Sequence, residues 1–292
     1  MTSPTARRRV LFSRDTLVGV LVVLLAVAVC VGLGLWQYGR FEDRRDQARV
    51  VEANYSSEPV PLSEVISAPE DPLTPTDDWT PVQMHGQYCT DPACQLYVRN
   101  RTLGAQVGFW QLVPFVADDG TTLMVVRGWV TAHSQESVPA DPPPVPEGEQ
   151  TITVRLRPAE DALERRGNPE GQVHSVAPEQ IRAQLPTGSL PGLDESLVTG
   201  AYGSLVAEDP SAPKPTALPA PDTSLGPHLS YAFQWWIFAL FFPAALIYRT
   251  HRLIQEESED DGNTPRAPRE PRARRRSRDE EEEDALLDPA AH

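Results

Sequence analysis

"TLVGVLVVLLAVAVCVGLGLWQYGR", residues 16–40, decides the architecture of this chain of 292 residues. Residues 16–35 carry no charge, and a helix of that length crosses the roughly 30 Å hydrocarbon core of a membrane. A second uncharged stretch, "LSYAFQWWIFALFFPAALIY", runs over 229–248. The sequence therefore predicts a membrane protein with two transmembrane helices, at 16–38 and 229–248.

The first apolar stretch could alternatively be a cleaved secretory signal, because arginines precede it. Such a signal usually has an apolar core of about 7–15 residues and a small-residue cleavage site. The core is longer here, and its end at Trp36-Gln37-Tyr38 lacks that site. A retained helix is favoured. Ala26, Cys30 and Gly34 recur every four residues and form a small-residue face suited to helix packing.

Basic residues flank the two apolar stretches mainly on one side, because Arg40, Arg44 and Arg45 on the other side are interleaved with Glu42, Asp43 and Asp46. The flanking arginines are Arg7, Arg8, Arg9 and Arg14 before the first stretch and Arg249 and Arg252 after the second. Because cytoplasmic flanks of membrane helices are enriched in Lys and Arg, we expect a multi-pass cell-membrane protein with both termini in the cytoplasm. The segment 39–228 would then be extracytoplasmic, and the lipid bilayer would be a partner of the chain.

The charge balance is acidic, with a net charge of −15 that lies almost entirely within residues 16–248. This excludes a nucleic-acid role driven by attraction to phosphates. Solubility of the outer domain is the favoured explanation. The ends differ in composition, because 1–15 is a short basic arm and 249–292 is a charged segment predicted to be disordered.

The segment 39–228 has the texture of a β-rich α+β domain, either a small barrel or a sandwich. Short runs rich in Val, Leu, Thr and aromatic residues predict strands, namely "WTPVQMHGQY", "QLYVRNR", "GFWQLVPFV", "TTLMVVRGWV", "TITVRLR" and "LVTGAYGSLVAE". Asp119-Gly120 predicts a hairpin turn between the third and fourth runs. Short helices are predicted at 158–166 and 177–186, and the proline-rich segments 139–149 and 210–221 are predicted to be extended.

Sequence signatures of nucleotide-binding, zinc-protease and serine-hydrolase sites are missing, so no enzymatic activity is predicted. Cys89 and Cys94 bracket an Asp91-Pro92 turn, which favours a disulfide across a hairpin tip outside the membrane. A copper-binding thiol pair is the alternative, because soft thiolates suit Cu(I). An Arg127-Gly128-Trp129 sequence inside a strand predicts a bulge and a packed aromatic side chain.

A polar and aromatic cluster is predicted where the two apolar stretches meet the outer domain. Its candidate members are His228, Trp36, Gln37, Arg40, Tyr231 and Trp235. An imidazole for haem iron, flat aromatic rings for a porphyrin and a guanidinium for its propionates would make a haem site chemically reasonable. On the residues alone, the aromatic belt of ordinary membrane helices is the favoured explanation.

Four sequence motifs favour the haem site over the ordinary aromatic belt, because they occur in the order found in a known family. They are Gly34-x-Trp36-Gln37-x-x-Arg40, "LYVRNR" followed by "GFWQLVPF", "VVRGWV" at 125–130, and "HLSYAFQWWIFAL" at 228–240. With them the chain resembles the Surfeit locus protein 1 family, the membrane assembly factors of cytochrome c oxidase. The resemblance covers most of residues 16–250. Departures are Val126 in place of the family's asparagine, the cysteine pair, the proline-rich lead-in and the charged tail.

The resemblance implies a non-enzymatic assembly factor that aids delivery of haem a to the catalytic subunit of an a-type haem–copper oxidase. It implies that His228 is the haem contact. Haem a synthase and a respiratory supercomplex are further partners that it suggests. The alternatives are an accessory subunit retained in the mature oxidase or supercomplex, copper handling through Cys89 and Cys94, and an envelope anchor unrelated to respiration.

Overall fold

A computed structural model of the protein describes residues 4–133, 137–163, 167–186 and 192–261. They form two compact units. The helical unit comprises the described residues up to Gln37 and those from Leu229 onward. The barrel unit comprises Tyr38–His228. The elements in chain order are α1 (Pro4–Leu11), α2 (Arg14–Asn54), β1 (Val60–Pro61), α3 (Leu62–Val65), β2 (Pro81–Tyr88), β3 (Leu96–Leu103), β4 (Gln106–Ala117), β5 (Thr122–Thr131), β6 (Gln150–Pro158), β7 (Gln172–Val173), α4 (Pro178–Gln184), α5 (Leu193–Ser196), β8 (Ala201–Asp209) and α6 (His228–Asp261).

The helical unit is built from two long apolar helices, α2 and α6, both long and apolar enough to cross a membrane by length and composition. α2 begins after a break at Ser13, whose hydroxyl oxygen accepts the Thr16 N–H at 3.2 Å and caps the helix. On the predicted packing face, Cys30 and Gly34 are buried. A side chain at Gly34 would overlap the indole of Trp236, so glycine is what permits this approach.

Both helices continue beyond the predicted spans. α2 runs on to Asn54, and ion pairs one turn apart support its polar end, with Arg45–Glu42 at 3.3 Å and Arg49–Asp46 at 3.1 Å. α6 runs on to Asp261, so the predicted disorder is wrong for 249–261. Alternating charges such as Arg252–Glu256, 3.0 Å apart, suit a helix there. Residues 262–292 lie outside the described residues.

The barrel unit contains a closed ring of five strands. β2, β6, β8, β5 and β4 are hydrogen-bonded in that order, and β4 pairs back with β2. β5 and β8 are parallel, and the other neighbours in the ring are antiparallel. β3 and then β7 extend the sheet from β4, and β1 extends it from β2. Of the two predicted alternatives, a small barrel or a sandwich, the barrel is observed.

The predicted strands are confirmed as β2, β3, β4, β5, β6 and β8, with shifts of a few residues at their ends. The predicted Asp119-Gly120 turn joins β4 to β5. Gly120 has φ +89°, and the Asp119 carboxylate accepts the Thr121 N–H at 2.8 Å. Glycine is favoured in tight turns because it tolerates positive φ, and aspartate because its carboxylate accepts a nearby backbone N–H.

Two apolar clusters fill the two sides of the sheet, because side chains alternate between its faces. One cluster is centred on Leu123, Val125 and Phe115, together with residues of β2 and β6. The other contains Met124 and Val126 with residues of β3, α4 and the disulfide loop. β5 is therefore buried on both faces, which explains its continuous apolar run from Leu123 to Val126.

Two local expectations are corrected. The predicted helix at 158–166 is not formed over 159–163, and 164–166 lie outside the described residues. There Glu160 is hydrogen-bonded twice to Val176. The Glu160 N–H donates to Val176 O, and the Glu160 carboxylate accepts the Val176 N–H. Cys89 and Cys94 form a disulfide. Their loop is not a hairpin tip, because β2 and β3 each pair with β4 instead of with each other.

Candidate functional site

A cavity of about 1120 Å³ lies within the barrel unit. Three segments surround it: the polar end of α2, the connection before β2, and the lead-in to α6. β6 contributes its last residues. The lining residues are Arg40, Asp43, Arg44, Asp46, Gln47, Val50, Val51, Leu73, Thr74, Pro75, Thr76, Asp78, Trp79, Arg157, Pro158, Pro221, Asp222 and His228.

The wall contributed by α2 follows helical spacing. Arg40, Arg44, Gln47 and Val51 recur at intervals of three or four residues and share one face of the helix. Arg40, a member of the cluster predicted from the sequence, lies on this face. The wall is charged at Arg40 and apolar at Val51.

The far end of α2 is fixed to the barrel by hydrogen bonds and stacking. The Asn54 side-chain amide donates to the carbonyls of Thr76 and Asp78, at 2.7 and 2.8 Å. Arg155 of β6 donates through Nε to Tyr55 O at 2.9 Å, and its guanidinium lies 3.6 Å from the centre of the Tyr55 ring. These contacts hold the α2 wall at a fixed distance from β6.

A second stacked cation, Arg157, lines the cavity. The Arg157 guanidinium lies 3.8 Å from the centre of the Trp79 ring and donates to both carboxylate oxygens of Asp78 at 2.8 Å. Burial raises the pKa of the Asp78 carboxyl, and the charge of Arg157 offsets part of this shift. Arg157 is thus committed to a structural ion pair, although it lines the cavity.

The proline-rich lead-in to α6 is attached to the barrel by β5. The Trp129 N–H donates to Thr216 O at 2.7 Å, and the Thr216 N–H donates back to Trp129 O at 3.0 Å. A Cβ at Gly128, which has φ +153°, would overlap Thr216 O. Pro213 O accepts a hydrogen bond from Arg127 at 3.2 Å. This attachment brings Asp222 and His228 to the cavity.

Arg127 is the bulged residue of β5, because Gln111 of β4 pairs with Gly128 and the next pair is Leu112 with Val126. The predicted bulge is confirmed, and it directs the guanidinium into the interior. There Arg127 donates to Glu208 Oε1 at 3.1 Å and to Gln111 Oε1 at 3.1 Å, with both side chains of the ion pair fully buried. Its guanidinium also donates to Pro144 O at 3.0 Å, which attaches the other proline-rich segment.

His228 is half-buried and follows a turn that favours glycine. Gly226 has φ +63°, a left-handed backbone conformation that glycine adopts without steric cost. α6 begins at His228, so the imidazole stands at the first residue of the helix and at the margin of the cavity.

Known proteins are similar to this chain over most of both apolar stretches and the barrel unit. The model of the SURF1 family matches residues 24–240, which include the barrel unit and most of both apolar stretches. The chain belongs to the SURF1 family. Similar proteins include uncharacterized SURF1-like proteins of Mycobacterium bovis and Mycobacterium tuberculosis, each 29% identical over 252 residues, or 84% of this chain and 87% of theirs. A SURF1-like protein of Rickettsia felis is 27% identical over 115 residues, 39% of this chain and 47% of that protein.

For this SURF1 family member, two of the six predicted site residues line one cavity, Arg40 and His228. The other four belong to the helical unit and stay predictions. In that unit, Trp36 and Tyr231 are more than 45% exposed, while Gln37 and Trp235 are partly buried. The sulfur atoms of Cys89 and Cys94 are joined to each other, and Cys94 is fully buried. The structure therefore presents this pair without free thiols for copper.

Three further lining residues, Arg44, Trp79 and Arg157, were not predicted from the sequence. Arg44 could have been found by continuing the four-residue spacing from Trp36 and Arg40. Trp79 and Arg157 carried no such signal, because their place in the cavity depends on the packing of β6 against the connection before β2.

The family motif "LYVRNR" lies at a second cavity, of about 380 Å³, lined by Arg99, Asn100, Arg101, Glu160, Asp161, Leu163, His174 and Ser175. Arg101 pairs with Glu160, and its guanidinium lies 4.0 Å from the centre of the Trp110 ring. Arg101 O accepts the indole N–H of Trp129 at 2.8 Å. These contacts account for the motif as part of the barrel.

Proposed function

We propose that this protein is a non-enzymatic membrane assembly factor that aids delivery of haem a to the catalytic subunit of an a-type cytochrome c oxidase. Its family is linked in general to cytochrome oxidase assembly. The observation that carries the finer proposal is the cavity that Arg40 and His228 line together. These two residues were predicted from the sequence to bind a propionate and the haem iron.

The residues of the cavity fit such a group. An imidazole is a standard ligand of haem iron, and a guanidinium forms charge-assisted hydrogen bonds with carboxylates. The apolar part of the lining, which includes Val50, Val51, Leu73 and Pro158, suits a hydrophobic macrocycle. Haem a would supply the redox centre of the oxidase, and the role of this chain would be to hold it and to pass it on.

We further propose that α2 and α6 both cross the cell membrane, with both termini in the cytoplasm and the barrel unit outside. The arginines that flank the apolar stretches support this orientation. The cavity would then lie on the outer side of the membrane, accessible to the oxidase catalytic subunit. Haem a synthase and a respiratory supercomplex are the further partners that we expect.

The first experiment compares membranes from cells with the intact gene, without the gene, and with His228→Ala. The reduced-minus-oxidised spectrum gives the haem a content per milligram of membrane protein, and oxidase turnover is assayed beside it. We expect both to fall in the deletion strain and in the variant, without recovery on addition of copper.

A His133→Ala strain is the matched control, because this histidine lies two residues after the end of β5 and outside the cavity lining. An unchanged haem a band with normal turnover in the deletion strain would contradict the proposed function. Stoichiometric copurification of the protein with an oxidase that keeps its haem a would indicate an accessory subunit instead.

A further inference from the structure

Two cations of the cavity are uncommitted. Arg40 and Arg44 are both exposed, and neither forms an ion pair or hydrogen bond with the residues that the structure describes. They are spaced by four positions on α2, which puts their Cβ atoms about 5–6 Å apart on one helix face.

The neighbouring arginines behave differently. Arg45 lies 3.3 Å from Glu42, and Arg49 lies 3.1 Å from Asp46. Arg157, the third arginine of the cavity, is taken by both oxygens of Asp78. Asp43 and Asp46 of this helix also line the cavity, yet neither lies within ion-pair distance of Arg40 or Arg44 among the described residues.

One carboxylate of the lead-in competes for this pair of cations. Asp222 is exposed, and it accepts hydrogen bonds from the Ser224 N–H and hydroxyl, both at 2.9 Å. These bonds, with a smaller contribution from the charge of Arg44, lower the pKa of the Asp222 carboxyl. Asp222 therefore stays ionised at the cavity and partly balances the charge of Arg44.

We infer that Arg40 and Arg44 together bind the two carboxylates of an amphipathic dicarboxylate, and that Asp222 competes with the ligand for Arg44. This inference rests on the proposed function, in which the dicarboxylate is a haem with its two propionates. Arg44 would bind the second carboxylate of the ligand. The exposed Asp222 would weaken binding of the ligand. A ligand carboxylate on Arg44 gains charge-assisted hydrogen bonds that Asp222 does not make.

The test uses the purified full-length protein in detergent and two probes, ferric protohaem and its dimethyl ester. The ester keeps the ring and the iron but has no carboxylates. Binding is followed by the Soret absorption, with Arg44→Gln, Arg40→Gln and Asp222→Asn compared with wild type. Arg252→Gln is the matched control, since Arg252 is an exposed arginine of a long helix, pairs with Glu256, and neither residue lines the cavity.

We expect Arg40→Gln and Arg44→Gln each to weaken protohaem binding about tenfold, the effect of losing one charged hydrogen-bonding group. The same variants should bind the dimethyl ester as wild type does. Asp222→Asn should bind protohaem a few times more tightly, because removing a competing negative charge favours an anion. Arg252→Gln should match wild type with both probes.

Equal losses for protohaem and its ester, or no loss at all, would overturn the inference. So would absence of binding by the wild-type protein. The haem a content of membranes decides the proposed function separately. If protohaem binding depends on Arg44 while deletion leaves haem a and oxidase turnover unchanged, the cavity is a porphyrin site and the assembly function fails. If haem a falls on deletion but Arg44 has no effect, only the inference fails.

Discussion

The barrel unit contains two groups of arginines that differ in burial and in pairing. Arg127 is buried, and its guanidinium is occupied by Glu208, Gln111 and two proline carbonyls. Arg40 and Arg44 are exposed at the cavity and have no close partner among the described residues. A buried cation held by a carboxylate and carbonyl groups contributes to one folded structure, whereas an exposed cation without a close partner can exchange water for a ligand. Burial and pairing therefore distinguish arginines that maintain the barrel from arginines that can bind.

The largest effect is expected from Arg127→Met. It leaves Glu208 buried without its cation, which costs about 3–5 kcal/mol of the free energy of unfolding when one partner of a buried ion pair is removed. The measurement is denaturant unfolding of the detergent-solubilised protein, followed by tryptophan fluorescence.

Arg40→Met is the matched control, and it should change stability by less than about 0.5 kcal/mol, as surface substitutions usually do. Similar losses for the two variants would remove the distinction between the two groups of arginines.

A smaller effect is expected from Gly128→Ala, which tests how the lead-in is held. The added Cβ would meet Thr216 O, and the backbone at φ +153° disfavours alanine, so we expect a loss of about 2–3 kcal/mol. Detachment of the lead-in should also speed hydrogen exchange of the Thr216 amide, whose N–H donates to Trp129 O in the folded protein.

Gly120→Ala is the control for this substitution. Gly120 has φ +89°, but no atom would lie within 4 Å of a Cβ added there, so only the backbone cost applies. Its variant should keep the Thr216 amide protected from exchange. Equal exchange rates of this amide in the two variants would show that β5 does not hold the lead-in.

The smallest effect concerns pH and Asp78. Because burial raises the pKa of this carboxyl above its ordinary value of 3.8, the folded protein holds the proton more tightly than the unfolded chain does. The stabilisation from this group is therefore greatest at low pH and declines as pH rises from 3.8 through the raised pKa.

The check is urea unfolding of wild type and Asp78→Asn at closely spaced pH values from about 3.5 to 7, the range in which a moderately shifted carboxyl titrates. The free energy of unfolding of wild type, relative to that of the variant, should decline with rising pH. A difference that rises with pH would contradict the raised pKa.

Much of the fold could be predicted from the sequence because local patterns set it. Uncharged stretches of twenty residues predict long apolar helices, and alternating or continuous runs of β-branched residues predict strands. The Asp119-Gly120 turn and the bulge at Arg127 were recognisable because only particular residue types tolerate those backbone shapes. The predicted helix at 158–166 failed over 159–163 because contacts of Glu160 with Val176 outweigh local helix propensity.

The candidate site was only partly predictable. Arg40 and His228 were found through residue chemistry, and Arg44 could have been reached by helical spacing. Trp79, Arg157 and Asp222 could not, since they come from segments far apart in sequence. Their meeting at one cavity depends on Asn54 and Arg155 fixing α2, and on the pairing of Trp129 with Thr216 that holds the lead-in.

The sequence by itself determined the two apolar helices, the strands and the turn between β4 and β5, because each depends on the composition and spacing of neighbouring residues. The tertiary structure alone decided the closure of the barrel through β2 and β4, the burial of Arg127 with Glu208, and the cavity whose two arginines have no close partner among the described residues. Those features depend on which distant segments pack together, and packing of distant residues leaves no periodic trace in one chain.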